Sequence, residues 1–183
     1  MFPFFHIFLP LGILEVFIRI SPGNISLYGY FTRFWLCIGG LLPDLIDKPL
    51  SLLSQSTSGR GIGHAPLFTI PILSLLLILT KKKSIIYPII IGNIIHLLLD
   101  IPEIPWLWPF IPLDLYISDL NAWLYTLLHD PLVFSTELLA LGGLLALIIY
   151  YRVIFHKGLV NGKMLKEFFF DAPKMIKNLK NNI

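Results

Sequence analysis

Apolar residues run along this chain in stretches that polar residues interrupt only briefly. Five stretches stand out: segment A from Phe2 to Ile20, B from Leu27 to Leu42, C from Pro66 to Thr80, D from Ser84 to Leu99 and E from Pro131 to Tyr151. Segment E is long enough for about 30 Å of hydrocarbon at about 1.5 Å per residue. The others are short and need flanking residues or a thinned bilayer. The pattern predicts an all-α, polytopic integral membrane bundle of about five transmembrane helices, with four as the alternative. Between D and E, Leu120, Trp123, Leu124, Leu127 and Leu128 recur at helical spacing while Asn121 and Thr126 face elsewhere. That spacing predicts a helix over 119–129 lying in the membrane interface. Trp106 and Trp108 fit the same interfacial belt.

Composition agrees with this pattern. Of 183 residues 56% are hydrophobic and 14% charged, against about 45–50% and roughly 25% in water-soluble domains. The N-terminus lacks a basic region and a small-residue cleavage site, so it reads as a retained first helix rather than a signal peptide. One domain is expected over 1–151, followed by a basic tail over 152–183. Cys37 has no partner, which leaves neither a disulfide framework nor a cysteine-rich zinc site.

Charge sets an expected orientation. With the Lys81–Lys83 turn inside, five alternating spans place every lysine and arginine except Lys48 and Arg60 on the cytoplasmic side, as the positive-inside rule requires. The tail interleaves lysines with Phe168, Phe169 and Phe170, the pattern of a surface helix on anionic lipid rather than of a nucleic-acid binder. The net charge of +3 therefore needs no polyanionic partner. The expected location is the cell membrane, multi-pass, with a cytoplasmic C-terminus.

Ionisable residues inside or at the ends of apolar segments are costly there without partners, and so are functional candidates. Segment D ends with Asn93, His96 and Asp100 on one helix face, segment B with Asp44 and Asp47, and the following loop delivers His64. His6 enters segment A about one turn from its start. In the five-span topology these four parts of the chain reach a similar depth on the extracytoplasmic side. Imidazoles and carboxylates without sulfur suit a hydrolytic divalent metal, zinc first, with manganese or iron as alternatives. Each residue also has a plainer reading. Asp44 and Asp47 could end a helix at water, and the histidines could be hydrogen-bonded core groups. Glu15 stands four residues before Arg19 and is expected to pair with it. Asp130 reads as a helix N-cap before Pro131. Glu137, nearly two turns inside E, is a candidate for supporting the site.

The succession of an N-terminal histidine, Leu42-Pro43-Asp44-Leu45-Ile46-Asp47, the Arg60-Gly61 to His64 loop, Gly92 with His96 and Asp100, and Trp108-Pro109 resembles the membrane-bound metal-dependent hydrolase family. That family includes LexA-regulated inner-membrane hydrolases and is distantly similar to zinc-dependent phospholipase C. The resemblance covers roughly the first 110 residues. It implies metal ligands at Asp47, His64, His96 and Asp100, with His6 and Asp44 as further candidates. The candidate metal ligands are then His6, Asp47, His64, His96 and Asp100. The candidate catalytic groups are Asp44 and Arg60, with Arg60 at the mouth where a cation holds an anionic phosphoryl group. The loop departs from the family's H-R-G-x-T-H-S: Gly59 stands for the first histidine, Gly63 for the threonine and Ala65 for the serine. A later His-x-x-x-Glu of the phospholipases has no counterpart.

Three functions follow as expectations. The first is a membrane metal-dependent hydrolase acting from the extracytoplasmic leaflet on a phosphoester or lipid-like substrate, with membrane lipid as its surroundings. The second is a non-catalytic membrane subunit that keeps the scaffold and pairs with membrane protein partners. The third, a transporter or proton relay, is disfavoured because the ionisable groups do not continue through the membrane.

Overall fold

The computed structural model describes residues 3–20, 33–54, 60–101, 103–110, 120–155 and 162–170. The start of segment B, Gly59, Asp114, Asp119 and the tail beyond Phe170 lie outside the described residues. Those residues form seven helices and no strand: α1 (Pro3–Ile20), α2 (Arg33–Ser54), α3 (Pro66–Thr80), α4 (Lys83–Leu99), α5 (Leu120–His129), α6 (Pro131–Phe155) and α7 (Gly162–Phe170).

The all-helical expectation holds, but the expectation of about five spans does not. Among the described residues one helix is long and apolar enough to cross a membrane, through its stretch Pro131–Tyr150 in α6. Helix α1 has 18 residues, α3 15 and α4 17, which at 1.5 Å per residue reach about 27, 22 and 26 Å, short of about 30 Å. Helix α2 does not end at Leu42 but runs on to Ser54, carrying Asp44, Asp47 and Lys48 on helical turns. These charges therefore lie within a helix and not at its end.

The helix ends have local causes. Asp130 accepts the amide N–H groups of Leu132 at 2.9 Å and Val133 at 3.2 Å, with Pro131 at the first helical position, so it caps α6 as expected. The α3–α4 turn closes on Lys81, which takes the left-handed conformation at φ 55° and donates its N–H to the Leu77 carbonyl.

Helices α2 and α4 pack most extensively, with α1 against both α2 and α6. Their backbones come close because glycines face each other. A Cβ on Gly92 would lie 2.4 Å from the Leu36 carbonyl oxygen, and one on Gly40 2.5 Å from that of His6. Leu11, Leu14 and Leu36 form the apolar core between α1 and α2.

The bundle has two chemically different ends. At one, Arg33 is fully buried. Its Nε and Nη2 donate to Glu15 Oε1 at 2.7 and 2.6 Å, and its Nη1 donates to the Phe168 carbonyl at 2.9 Å. Glu15 therefore pairs with Arg33 across helices; the Arg19 side chain, its expected partner, lies outside the described residues. Phe168 is buried against Leu147 and Ile148 of α6, so this part of the basic tail folds back onto the bundle. The other end gathers His6, Asp44, Asp47, His64, His96 and Asp100.

Candidate metal centre

The site is built outward from Asp47. After α2 the chain returns through Arg60–Ala65, and Asp47 ties this loop down. Its Oδ2 accepts the N–H of Gly61 at 2.7 Å and that of His64 at 2.9 Å, and its Oδ1 accepts that of Gly63 at 2.8 Å. The His64 ring adds Nδ1 to Oδ2 at 2.8 Å. Burial alone would raise the Asp47 carboxyl, but the hydrogen bonds from the His64 ring and from the Gly61 and Gly63 amides hold it below the usual carboxylate range. With its oxygens engaged this way, Asp47 holds the His64 ring and its loop in place. The loop also requires glycine at 63, because a Cβ there would lie 2.6 Å from the Pro43 carbonyl oxygen and 3.1 Å from Asp47. The departure from threonine at this position matches the tight fit.

His96 is oriented from the opposite side. Its Nδ1 lies 2.7 Å from the Gly40 carbonyl oxygen, an approach that the glycine contact between α2 and α4 permits. Carbonyl and carboxylate oxygens only accept, so Nδ1 carries the proton in both His96 and His64. Each Nε2 is then a lone-pair donor. The two Nε2 atoms face one another at 3.2 Å, with both rings buried. Two lone pairs at that distance repel unless a proton or a metal cation lies between them.

Three further groups complete the cluster. His6 Nε2 is 3.3 Å from Asp100 Oδ1, and its ring centroid is 4.0 Å from that of His96. Asp100 Oδ2 lies 3.5 Å from His64 Nε2 and 3.7 Å from His96 Nε2. Asp44 Oδ1 lies 3.6 Å from His64 Nε2. A tetrahedral ion with bonds of about 2.0–2.2 Å needs ligand atoms about 3.3–3.6 Å apart. The observed separations fall around that range, so these side chains fit a divalent metal. They form two overlapping triads, His6–His96–Asp100 and Asp44–His64–His96, and His96 has only one nitrogen left to give.

Positive side chains are fastened to both carboxylates of the cluster. Arg60 Nη2 reaches Asp100 Oδ2 at 3.2 Å, while its Nη1 pairs with Glu103. Lys48 Nζ donates to Asp44 Oδ2 at 2.9 Å, one helical turn away. Burial alone would raise Asp100, but the adjacent His6 and His64 rings and the Arg60 charge hold it far below the usual range. His64 is raised above the ordinary histidine value: burial works against this, and its contacts with Asp100 and Asp47, with the Asp44 charge, outweigh it.

Of the residues singled out from sequence, His6, Asp44, His64, His96 and Asp100 converge, Asp47 supports them and Arg60 stands at the rim. Asn93 is buried one turn below His96, and its amide has no hydrogen-bond partner among the described residues. His129 stays away from the site, accepted by the Tyr125 carbonyl through Nδ1 and stacked on the Tyr125 ring. Three contributors were missed by sequence reasoning: the Gly40 carbonyl, Lys48 and Glu103. The neighbouring Gly39-Gly40 pair is the one signal that pointed to a close backbone approach. Comparison with protein-family models, with curated proteins and with solved structures returns no match.

Proposed function

We propose that this chain is a membrane-anchored metal-dependent hydrolase acting on a phosphoester, with zinc as the first candidate ion. The observation that supports this most is the facing pair of His64 and His96 Nε2 atoms, each with its Nδ1 proton committed elsewhere. His6 and Asp100 supply further donors around them. An ion held there supplies Lewis acidity and lowers the pKa of a water to near neutrality. The chain's own groups do the rest. Asp44, half-buried and facing His64, is placed to accept a proton from the attacking water. Arg60 and Lys48 offer N–H donors to an anionic phosphoryl group at the rim, exchanging it for their present carboxylate partners.

The membrane setting rests on α6. Only 11% of its most apolar stretch is buried within the bundle, so its Leu132, Leu138, Leu139 and Leu145 face outward as lipid-facing side chains do. Asp130 precedes this stretch and Arg152 and Lys157 follow it, so the positive-inside rule puts its C-terminal end in the cytoplasm. Glu137 takes the Phe4 and Phe5 amides and Gly143 meets the Phe8 ring, so His6 and its cluster stand alongside the N-terminal half of α6, the extracytoplasmic half in this orientation, where a lipid-like substrate would arrive from the bilayer.

Elemental analysis and turnover of the full chain in detergent test the proposal together. One zinc-class ion per chain and hydrolysis of a phosphodiester, both lost in His96→Ala, are expected. Absence of metal from folded protein purified without chelator overturns it. Stoichiometric metal with no turnover of phosphoesters turns the reading to the non-catalytic membrane subunit.

A further inference from the structure

Helix α1 begins at Pro3, so its first turn has orphan backbone amides that need an acceptor. The acceptor comes from another helix. Glu137, buried two turns into α6, receives the Phe4 N–H on Oε2 at 2.9 Å and the Phe5 N–H on Oε1 at 3.1 Å. Phe4 and Phe5 are the second and third helical residues, the amides that a capping side chain ordinarily takes. A negative group there is also favoured by the helix dipole. Beside this contact lies an apolar cavity of about 210 Å³ lined by Phe4, Leu127, Phe134, Leu138 and Leu141, which brings no competing donor to the carboxylate.

The next residue is His6. It is fully buried, with Nε2 3.3 Å from Asp100. The contact of its carbonyl with Gly40 fixes how near α1 stands to α2. A bidentate grip on the two preceding amides fixes the turn of the helix about its axis and its position along it. We infer that Glu137 is a positioning residue for the metal centre, acting through the first turn of α1 to aim His6 at the ion, an inference that rests on the metal reading above. It makes the seat of α1 on α6 part of the metal-binding apparatus, although α6 contributes no ligand.

The test is a double-mutant cycle in the full chain, read by Co²⁺ affinity and by the cobalt visible absorption spectrum. Glu137→Gln replaces one acceptor oxygen with an NH₂ group that opposes a backbone donor. It should weaken Co²⁺ binding about tenfold and alter the spectrum, within the range for groups that orient a ligand. In a His6→Ala background the same substitution should change neither. A purely structural role would weaken binding equally in both backgrounds, and that result overturns the inference, as does an unchanged spectrum and affinity in Glu137→Gln alone. If Glu137→Gln does not fold, Glu137→Asp, which keeps the charge but shortens the reach, is carried through the same cycle. Folded parent chain that takes up no Co²⁺ overturns the metal reading itself, and is told apart because it appears before any substitution is made.

Discussion

Arg33 and Glu15 form an ion pair that is closed to water at the end of the bundle opposite the metal centre, with contacts of 2.6 and 2.7 Å. Arg33 also places its guanidinium 4.7 Å from the Phe168 ring centroid and donates to the Phe168 carbonyl. That carbonyl is one of the last in α7, so a single side chain neutralises Glu15 and closes a helix C-terminus. Removing one partner of such a pair leaves an uncompensated buried charge. Glu15→Gln or Arg33→Met should each destabilise the chain by about 3–5 kcal/mol, and the Glu15→Leu, Arg33→Met double variant should recover much of the loss. Equilibrium denaturation in detergent measures both.

Asp47→Asn should lower metal affinity about 10- to 100-fold without removing a ligand. The asparagine side chain has one acceptor oxygen where four hydrogen bonds now converge, so either the loop or the His64 ring loses its hold. Competition with a chelator of known affinity gives the number. Affinity equal to that of the parent chain would show that His64 is aimed by something else.

Metal affinity should fall as pH falls, and begin to fall at higher pH than for an ordinary histidine site. The sign follows from His64: its raised pKa means the proton is held to higher pH, and a proton on Nε2 excludes the ion. Asp47 and Asp100 are lowered and stay ionised across the same interval. Zinc titrations from pH 8 downward should show the loss starting above about pH 6.5. A pH-independent affinity would contradict the assignment of His64 as a ligand.

Gly63→Thr should impair this chain. Its Cβ would meet the Pro43 carbonyl and the Asp47 carboxylate, and both are backed by α2. The loop would shift and His64 with it, so metal occupancy should drop. Ala65→Ser adds a single hydroxyl at a fully buried position and should perturb the loop less. Elemental analysis of the two variants side by side makes the comparison.

The sequence made much of the site legible because its residues lie at helical spacing. His96 and Asp100 share a face of α4 by periodicity alone, and Asp130 announces the start of α6 by standing before proline. The Asp47 role was hidden because three of its hydrogen-bond donors are backbone amides of a loop, which no residue identity encodes. The Glu15 contact with Arg33 was hidden because the sequence offers Arg19 by a local rule, while Arg33 is brought close only by tertiary packing. The number of spans misled for a related reason. Apolar runs report what a helix avoids, but its reach depends on its length: α3 ends at the Lys81–Lys83 turn and α4, starting there, ends at Leu99, each before it is long enough to cross.

The glycine contact between α2 and α4 makes helix packing and ring placement one and the same contact. Because Gly92 and Gly40 leave no room between the two backbones, the packing that joins these helices also sets the Gly40 carbonyl against the His96 ring. His64 stands outside a helix, on a loop fastened by one carboxylate, so the two facing imidazoles differ in what holds them: backbone packing for His96, a single side chain for His64.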